Sequence, residues 1–320
     1  DLSGKNAFVI GNGNVALDVA RILAKTYKEL AVTDISSYAL DELRGSKIED
    51  IWIVGRRGPL QAAFSPTELR EFLELNDVQV MVEGKEINFE NESWDKLGNN
   101  LSKDTKKNIE ILKEISLKNV NNKKKRVHFI FLASPLEICG KNKVEKIRFV
   151  RNKLVKQDDG ILHPQPTDEK IEYGADLIFR SIGYRGKPLQ GLPFDEKSGT
   201  IPNYLGQVKD SVKYNHLRKR EYVAGWIKRG PSGVIGTNKQ DAVETVHRMF
   251  EIIQIEKMEP LKKISMNDVV SHLKSRNVEF VSFADWKILD NHEKEEGKIK
   301  GRPRVKETNV EKMLEIIRGK

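Results

Sequence analysis

The sequence predicts an α/β fold that begins with a parallel sheet. Residues 7–10 form a short apolar run typical of a buried strand, and a glycine turn at 11–13 follows directly. Apolar residues then recur at helical spacing over 15–30, and a second apolar strand follows at 51–54. Two strands joined by a helical crossover form a βαβ unit, which implies that the strands are parallel.

Further helices and strands extend this unit. A short helix at 35–43 lengthens the crossover. Ser65, Pro66 and Glu68 have the spacing of a capping box, which predicts a helix from there to about residue 75 and a strand at 78–82. We interpret 84–125, rich in Asn and Lys, as a surface insertion with one helix at 109–117. Strand patterns return at 127–132, 146–150 and 175–179.

The second part of the chain has a different pattern. The loop 191–203 has Gly and Pro near its ends and is the favoured domain junction. We assign residues 1–183 to the first domain and 184–320 to the second. A short strand at 222–226 is followed by a glycine turn at 230–233 and a long helix to 253. The tail shows two further helical patterns, at 267–273 and 310–317, separated by a charged stretch.

The composition excludes several classes of function. A chain of 320 residues, 38% of them hydrophobic, has room for roughly two domains. Its single cysteine, Cys139, cannot form an intramolecular disulfide, and no Cys/His cluster has metal-ligand spacing. No apolar run approaches the roughly 20 residues of a membrane span. The net charge of +9 favours an acidic partner. We expect no nucleic acid, because the basic run 123–126 lacks interleaved aromatic residues.

The strongest chemical signal is the glycine turn after the first strand. Residues Gly11-Asn12-Gly13-Asn14-Val15-Ala16 fit the pattern G-x-G-x-x-G/A between a strand and a helix. The first glycine permits a tight turn, the second lets the backbone approach a pyrophosphate, and Ala16 allows close packing of helix on strand. The pattern favours dinucleotide binding over a purely structural glycine turn.

Two arginines at the end of the second strand indicate which dinucleotide binds. NAD-dependent domains usually place an Asp or Glu there to accept hydrogen bonds from the ribose 2′-hydroxyl. This chain instead has Arg56 and Arg57 between two glycines. Guanidinium groups attract a 2′-phosphate and offer it paired donors, so the pair favours NADP over simple surface charge.

Other polar residues have more than one interpretation. Glu68 could contact the nicotinamide end of the cofactor, or it could serve only the helix cap. Asp18 lies in the first helical turn, where an acid favours the helix dipole, and we expect a structural role. None of the six histidines has a carboxylate or nucleophile at an interpretable spacing. We therefore predict no catalytic side chain and no metal ligand, and expect cofactors to perform the chemistry.

Several segments carry a family resemblance that covers nearly the whole chain. They are 11–21, 55–64, 181–184, 225–237 and 281–286. In these residues the chain resembles the adrenodoxin reductase family of FAD-dependent ferredoxin–NADP reductases. The resemblance implies a Rossmann-like NADP domain followed by the C-terminal part of an FAD-binding α/β domain. That family has an FAD-binding βαβ unit ahead of its NADP domain, and we expect this chain to lack that segment.

The resemblance also implies roles for individual residues. The NADP site would comprise Gly11, Asn12, Gly13, Asn14, Val15, Arg56, Arg57 and Glu68. Of these, 12–15 would cradle the pyrophosphate and the two arginines would hold the 2′-phosphate. FAD would contact Trp226 and the backbone of Gly233, Val234 and Ile235, with Gly233 also near the nicotinamide.

The implied function is that of a flavoprotein oxidoreductase. Electrons would pass from NADPH through FAD to an acidic ferredoxin or adrenodoxin-type iron–sulfur protein, with a basic face that includes Arg70 steering the docking. The resemblance suggests a mitochondrial location. One alternative is a non-catalytic NADP-binding module or fragment, and another is a basic nucleic-acid-binding protein.

Overall fold

The computed structural model describes residues 1–83, 101–118, 123–158, 160–211, 216–231, 233, 235–256 and 264–319. The chain divides into two compact units. The first unit comprises Asp1–Ile182 together with Val281–Lys320, and the second comprises Gly183–Phe280.

Strands alternate with helices up to residue 130, and further strands then follow one another. The strands are β1 (Asn6–Ile10), β2 (Asp50–Val54), β3 (Val78–Glu83), β4 (Lys125–Ile130), β5 (Ala133–Cys139), β6 (Lys146–Lys156), β7 (Leu162–Gly174), β8 (Leu177–Arg180), β9 (Asn203–Tyr204), β10 (Gln207–Lys209) and β11 (Leu217–Tyr222). The helices are α1 (Asn14–Ala24), α2 (Tyr27–Ala31), α3 (Ser37–Arg44), α4 (Pro66–Arg70), α5 (Lys103–Leu117), α6 (Trp226–Arg229), α7 (Ile235–Ile255), α8 (Met266–Ser275), α9 (Phe283–Ile299) and α10 (Val310–Arg318).

A five-stranded parallel sheet forms the centre of the first unit and confirms the predicted fold class. Its strand order is β3-β4-β2-β1-β8. Phe8, Ile53 and Phe129 lie fully buried within it, as expected for strands covered on both faces. Ile10 is in register with Val54, so β1 and β2 end at the same edge. In parallel α/β sheets, that carboxyl edge is where ligands bind.

The helix predicted over 15–30 is divided in two. α1 ends at Ala24, Lys25 has an extended backbone, and Thr26 caps α2 through a capping box with Glu29. The apolar periodicity continues across this break, whereas the reciprocal hydrogen bonds between Thr26 and Glu29 favour a new helix start.

The predicted surface insertion contains part of the core. The side chains of Ile111, Leu112 and Ile115 on α5 are buried in the main hydrophobic cluster of the first unit. α5 is the crossover helix between the parallel strands β3 and β4. Its charged residues mask an apolar stripe that the sequence interpretation recognised only from 109 onward. Residues 84–100 and 119–122 lie outside the described part of the chain.

An antiparallel sheet in the first unit was only partly predicted. It has the order β5-β6-β7, and the sequence interpretation recognised only the first part of β6. β7 is largely exposed and contains two prolines, so it lacks the apolar alternation of a half-buried strand.

The second unit begins at Gly183, one residue from the predicted division after residue 183. The loop 191–203, favoured as the junction, lies inside this unit, because Ile201 at the end of that loop is buried in its core. The predicted division differs from the structure at the other end of the second unit. At the other end, Val281–Lys320 belongs to the first unit. There the Arg302 Nε donates to the Thr33 carbonyl at 3.2 Å, and Lys306 forms an ion pair with Asp34 at 3.0 Å. The stretch predicted as a charged separator contains α9.

The second unit is built around a three-stranded antiparallel sheet with the strand order β11-β10-β9. Its small core contains Ile201, Val208 and Val223. The strand predicted at 222–226 is wrong beyond its first residue, because β11 stops at Tyr222 and Trp226 begins α6. None of the helices in the described ranges is long and apolar enough to cross a membrane.

Candidate functional site

The turn after β1 can accommodate only glycine at position 11. The Gly11 amide donates to the Val54 carbonyl at 2.9 Å, and the Ser181 amide donates to the Ile10 carbonyl at 2.8 Å. Gly11 has a φ of +130°, and a Cβ built on it would lie 1.9 Å from the Ser181 carbonyl oxygen. A side chain is excluded both by the backbone conformation and by space, so the turn can be this tight only with glycine.

The N-terminus of α1 is open toward the edge of the sheet. Gly13 is the N-cap residue and has no side chain to bond the first-turn amides. A Cβ on Gly13 would meet nothing within 4 Å, which leaves space beside the helix end. Free amides and the positive end of the helix dipole together favour an anion such as a pyrophosphate. Ala16 is fully buried, as the close packing of helix on strand requires.

Two asparagines connect this turn to the segment before α4. The Asn12 carbonyl accepts from the Ala63 amide at 3.1 Å, and the Asn14 Oδ1 accepts from the Ser65 amide at 2.7 Å. The Asn12 Nδ2 is buried and has no hydrogen-bond partner in the described part of the chain. A buried amide without a partner is costly, so this donor is suited to a ligand oxygen.

The arginine pair lies next to the glycine turn. A Cβ built on Gly55 would lie 2.6 Å from the Asn12 Nδ2, so the two loops are in direct contact. Arg56 is exposed and Arg57 half-buried. Among the described residues, neither guanidinium forms an ion pair. The predicted NADP residues 11–15 and 56–57 therefore meet at one edge of the sheet, with cationic groups available to an anion.

The Glu68 carboxylate is held by Arg21. The Arg21 guanidinium bonds Glu68 at 2.7 Å and also forms ion pairs with Asp18 and Glu71. Burial lowers the pKa of Arg21, but these carboxylates raise it, and the net effect is an increase. The predicted capping box is only half formed. The Ser65 hydroxyl accepts from the Glu68 amide at 3.5 Å, but the Glu68 carboxylate turns to Arg21 instead of back to the cap.

The residues predicted to contact FAD lie in the second unit. Trp226 is 47% exposed, and its ring stacks on Tyr184 with centroids 5.9 Å apart. Gly233 has a φ of +79°, and a Cβ there would lie 2.4 Å from the Thr237 Oγ1. The helix α7 begins two residues later, at Ile235. Val234 lies outside the described residues. A half-exposed aromatic ring and a glycine turn before a long helix suit a flavin and its phosphates.

A buried lysine that the sequence interpretation missed anchors this segment. Lys228 on α6 has a side chain only 6% exposed, and its Nζ lies 3.0 Å from Asp241 and 2.6 Å from Glu244 on α7. Burial lowers the pKa of Lys228, while hydrogen bonds to the two carboxylates raise it, and the net effect is an increase. Asp241 also accepts from the Gly225 amide. The turn that carries Trp226 is thereby fixed to α7.

Of the contacts that the sequence interpretation missed, one had a signal in the sequence and another had none. The spacing of Asp18 and Arg21, three residues apart on a helix, could have indicated their ion pair. Nothing near Gly11 in the sequence indicates that the Ser181 carbonyl closes its turn, because the two are 170 residues apart.

Fold and site together define a Rossmann-like α/β domain whose sheet edge has the features of a dinucleotide site. No family model matches the chain. It is 44% identical over 321 residues to the NADPH-ferredoxin reductase FprA of Mycobacterium leprae, covering all of this chain and 68% of that protein. It is 34% identical to the mitochondrial NADPH:adrenodoxin oxidoreductase of Salvelinus fontinalis, covering all of this chain and 64% of that one. The solved structure of Mycobacterium tuberculosis FprA in complex with NADPH matches with a TM-score of 0.90 at 43% identity, over all of this chain and 69% of that one. The chain belongs to the adrenodoxin reductase family of NADPH–ferredoxin reductases.

Proposed function

We propose that this chain acts in an oxidoreductase that passes electrons from NADPH, through FAD, to a ferredoxin-type iron–sulfur protein. The observation that carries the proposal is the direct contact between the glycine turn at Gly11–Gly13 and the loop with Arg56 and Arg57, at the carboxyl edge of a parallel sheet. Membership in a family of NADPH–ferredoxin reductases supports it.

On the NADPH side, each group at the sheet edge has a defined task. The first-turn amides of α1 and the Asn12 Nδ2 would donate to the pyrophosphate. Arg56 and Arg57 would bind the 2′-phosphate, which NADH lacks. Glu68 would lie beside the cofactor, with its carboxylate already paired to Arg21.

On the FAD side, the residues fit a flavin through shape and backbone donors. The ring of Trp226 would pack against the cofactor, and the backbone at Gly233 and at the start of α7 would offer it amide donors. FAD held by these residues would supply the redox chemistry that links a hydride donor, NADPH, to a one-electron acceptor.

The acceptor partner would be acidic. A net charge of +9 steers a negatively charged protein toward the chain, and the exposed Arg70 is a candidate contact. A mitochondrial location remains a prediction. The Salvelinus fontinalis and Arabidopsis thaliana relatives named mitochondrial are 34% and 32% identical, whereas mycobacterial relatives reach 44%.

The proposal is tested by anaerobic titration of the FAD-loaded protein with NADPH and with NADH. We expect NADPH to bleach the flavin absorbance, and absence of bleaching would reject the proposed electron path. A protein that binds NADPH but no FAD would instead be a non-catalytic NADP-binding module.

Coenzyme choice is tested by Arg57→Ala. The loss of a charged hydrogen bond to the 2′-phosphate should weaken NADPH binding by about 1–3 kcal/mol. NADH binding should hardly change, since NADH has no phosphate there. An equal loss for both coenzymes would remove the 2′-phosphate role of Arg57.

A further inference from the structure

Each carbonyl of the segment Gly55-Arg56-Arg57 is bonded by a donor from elsewhere in the first unit. The Gly55 carbonyl accepts from the Ala133 amide at 3.1 Å, and the Arg57 carbonyl accepts from the Leu132 amide at 3.2 Å. Between them, the Arg56 carbonyl accepts from the Asn152 Nδ2 at 2.8 Å. Two of these anchors are backbone groups that any residue supplies, and the third is a side chain.

Asn152 is well placed to hold the loop rigidly. It lies on β6, is 5% exposed, and its own amide donates to the Leu132 carbonyl at 2.7 Å. The same side-chain nitrogen also donates to the Ser134 Oγ at 2.8 Å, so its second hydrogen has an acceptor of its own, separate from Arg56. A carbonyl oxygen only accepts, so the amide must turn its nitrogen toward Arg56.

The bond acts at the peptide that joins the two arginines. The Arg56 carbonyl belongs to the Arg56–Arg57 peptide, and the rotation of that peptide sets the directions in which both side chains leave the backbone. Neither guanidinium forms an ion pair among the described residues, so no carboxylate in that part of the chain fixes their directions. The orientation of the two arginine side chains before a ligand binds therefore has to be set by the backbone.

We propose that Asn152 is a positioning residue for coenzyme selectivity, which holds the arginine pair in the orientation that binds a 2′-phosphate. This inference rests on the proposed function, which assigns NADP to this edge of the sheet. The residue touches no cofactor and acts only through the Arg56 carbonyl.

The test is the binding of 2′,5′-ADP and of 5′-AMP, two ligands that differ only in the 2′-phosphate, measured by calorimetry on the full chain. For Asn152→Ala we expect about a five-fold loss of 2′,5′-ADP affinity, the effect of one hydrogen bond, with 5′-AMP affinity unchanged. Asn152→Ser is a second variant, since it keeps a polar side chain at this position but lacks the amide nitrogen that reaches Arg56. Thermal unfolding identifies which variants are folded.

Ser134→Ala is the matched control. It removes the other partner of the same amide nitrogen and should leave both affinities unchanged. Equal losses of 2′,5′-ADP and 5′-AMP in the Asn152 variants would overturn the proposal, because they indicate general damage to the site.

Arg57→Ala separates this inference from the proposed function. If Arg57→Ala lowers 2′,5′-ADP affinity and the Asn152 variants do not, the positioning role is wrong and the NADP site stands. If Arg57→Ala also leaves 2′,5′-ADP affinity unchanged, the NADP assignment itself fails, and the role of Asn152 fails with it.

Discussion

Replacing each of the two glycines in the turn after β1 with alanine should have different effects: Gly11→Ala should lower stability, and Gly13→Ala should lower NADPH affinity. In Gly11→Ala, the new Cβ would lie 1.9 Å from the Ser181 carbonyl oxygen. Since ordinary carbon contacts begin near 3.5 Å, the Ser181 peptide would have to retreat by about 1.5 Å. The amide of the same residue, Ser181, donates to the Ile10 carbonyl at 2.8 Å, so movement of Ser181 disturbs the pairing of β1 with β8.

The cost of Gly11→Ala has two parts. A φ of +130° in a non-glycine residue costs about 1–3 kcal/mol. Overpacking a closed site costs a further 1–3 kcal/mol or so. The free energy of unfolding should therefore fall by about 2–6 kcal/mol, a large share of the roughly 5–15 kcal/mol of a typical domain.

Gly13→Ala is the matched variant. Gly13 has an extended backbone with a φ of −101°, and a Cβ there would meet nothing within 4 Å. The free energy of unfolding should fall by at most about 1 kcal/mol, because alanine is a poorer N-cap residue than glycine. The methyl group would nevertheless stand where the pyrophosphate approaches the helix, so NADPH affinity should fall by about ten-fold.

Urea unfolding and NADPH titration of both variants separate the two effects. A stable Gly11→Ala protein would refute the close approach of Ser181. Unchanged NADPH affinity in Gly13→Ala would refute the position of the pyrophosphate.

Two further predictions concern buried charges. Burial raises the pKa of Asp50, but hydrogen bonds from Arg126 and His128 together lower it by more, so the net effect is a decrease. The stabilisation from Asp50 is therefore complete above its ordinary value near 3.9 and is lost as the pH falls through the lowered value. Asp50→Asn should lower the free energy of unfolding by about 1–3 kcal/mol at pH 7, and the variant should lose less stability than the unmodified chain as the solution is acidified. An unchanged dependence of stability on acid pH would contradict the ionic role of Asp50. Lys228→Met leaves Asp241 buried without its cation and should destabilise the second unit by about 3–5 kcal/mol, seen as faster amide hydrogen exchange there. Unchanged exchange would exclude Lys228 as the anchor of the turn.

Local chemistry made the first βαβ unit and the meeting of two loops at its edge predictable. The glycines at 11 and 13 and the arginines at 56 and 57 are residue types that few others could replace in the proposed roles, and all lie beside strands with clear apolar runs. These residues are expected to lie close together because the carboxyl ends of adjacent parallel strands meet at the same edge of the sheet.

Features that depend on long-range contact could not be predicted in this way. Asn152 is separated from Arg56 by 96 residues, and its strand β6 is half-exposed and charged. α5 was mistaken for part of an insertion because lysines and glutamates dilute its apolar face, while the burial of Ile111 and Leu112 depends on the sheet beneath. The residues 281–319 pack with the first unit through Arg302 and Lys306, whose partners lie about 270 positions earlier.

The most direct measurement of NADP specificity at this edge is the ratio of the affinities of the unmodified chain for 2′,5′-ADP and 5′-AMP. Charge-assisted bonds from Arg56 and Arg57 predict that 2′,5′-ADP binds at least ten-fold more tightly, a difference of about 1.4 kcal/mol. Equal affinities would contradict the assignment of the arginine pair to the 2′-phosphate.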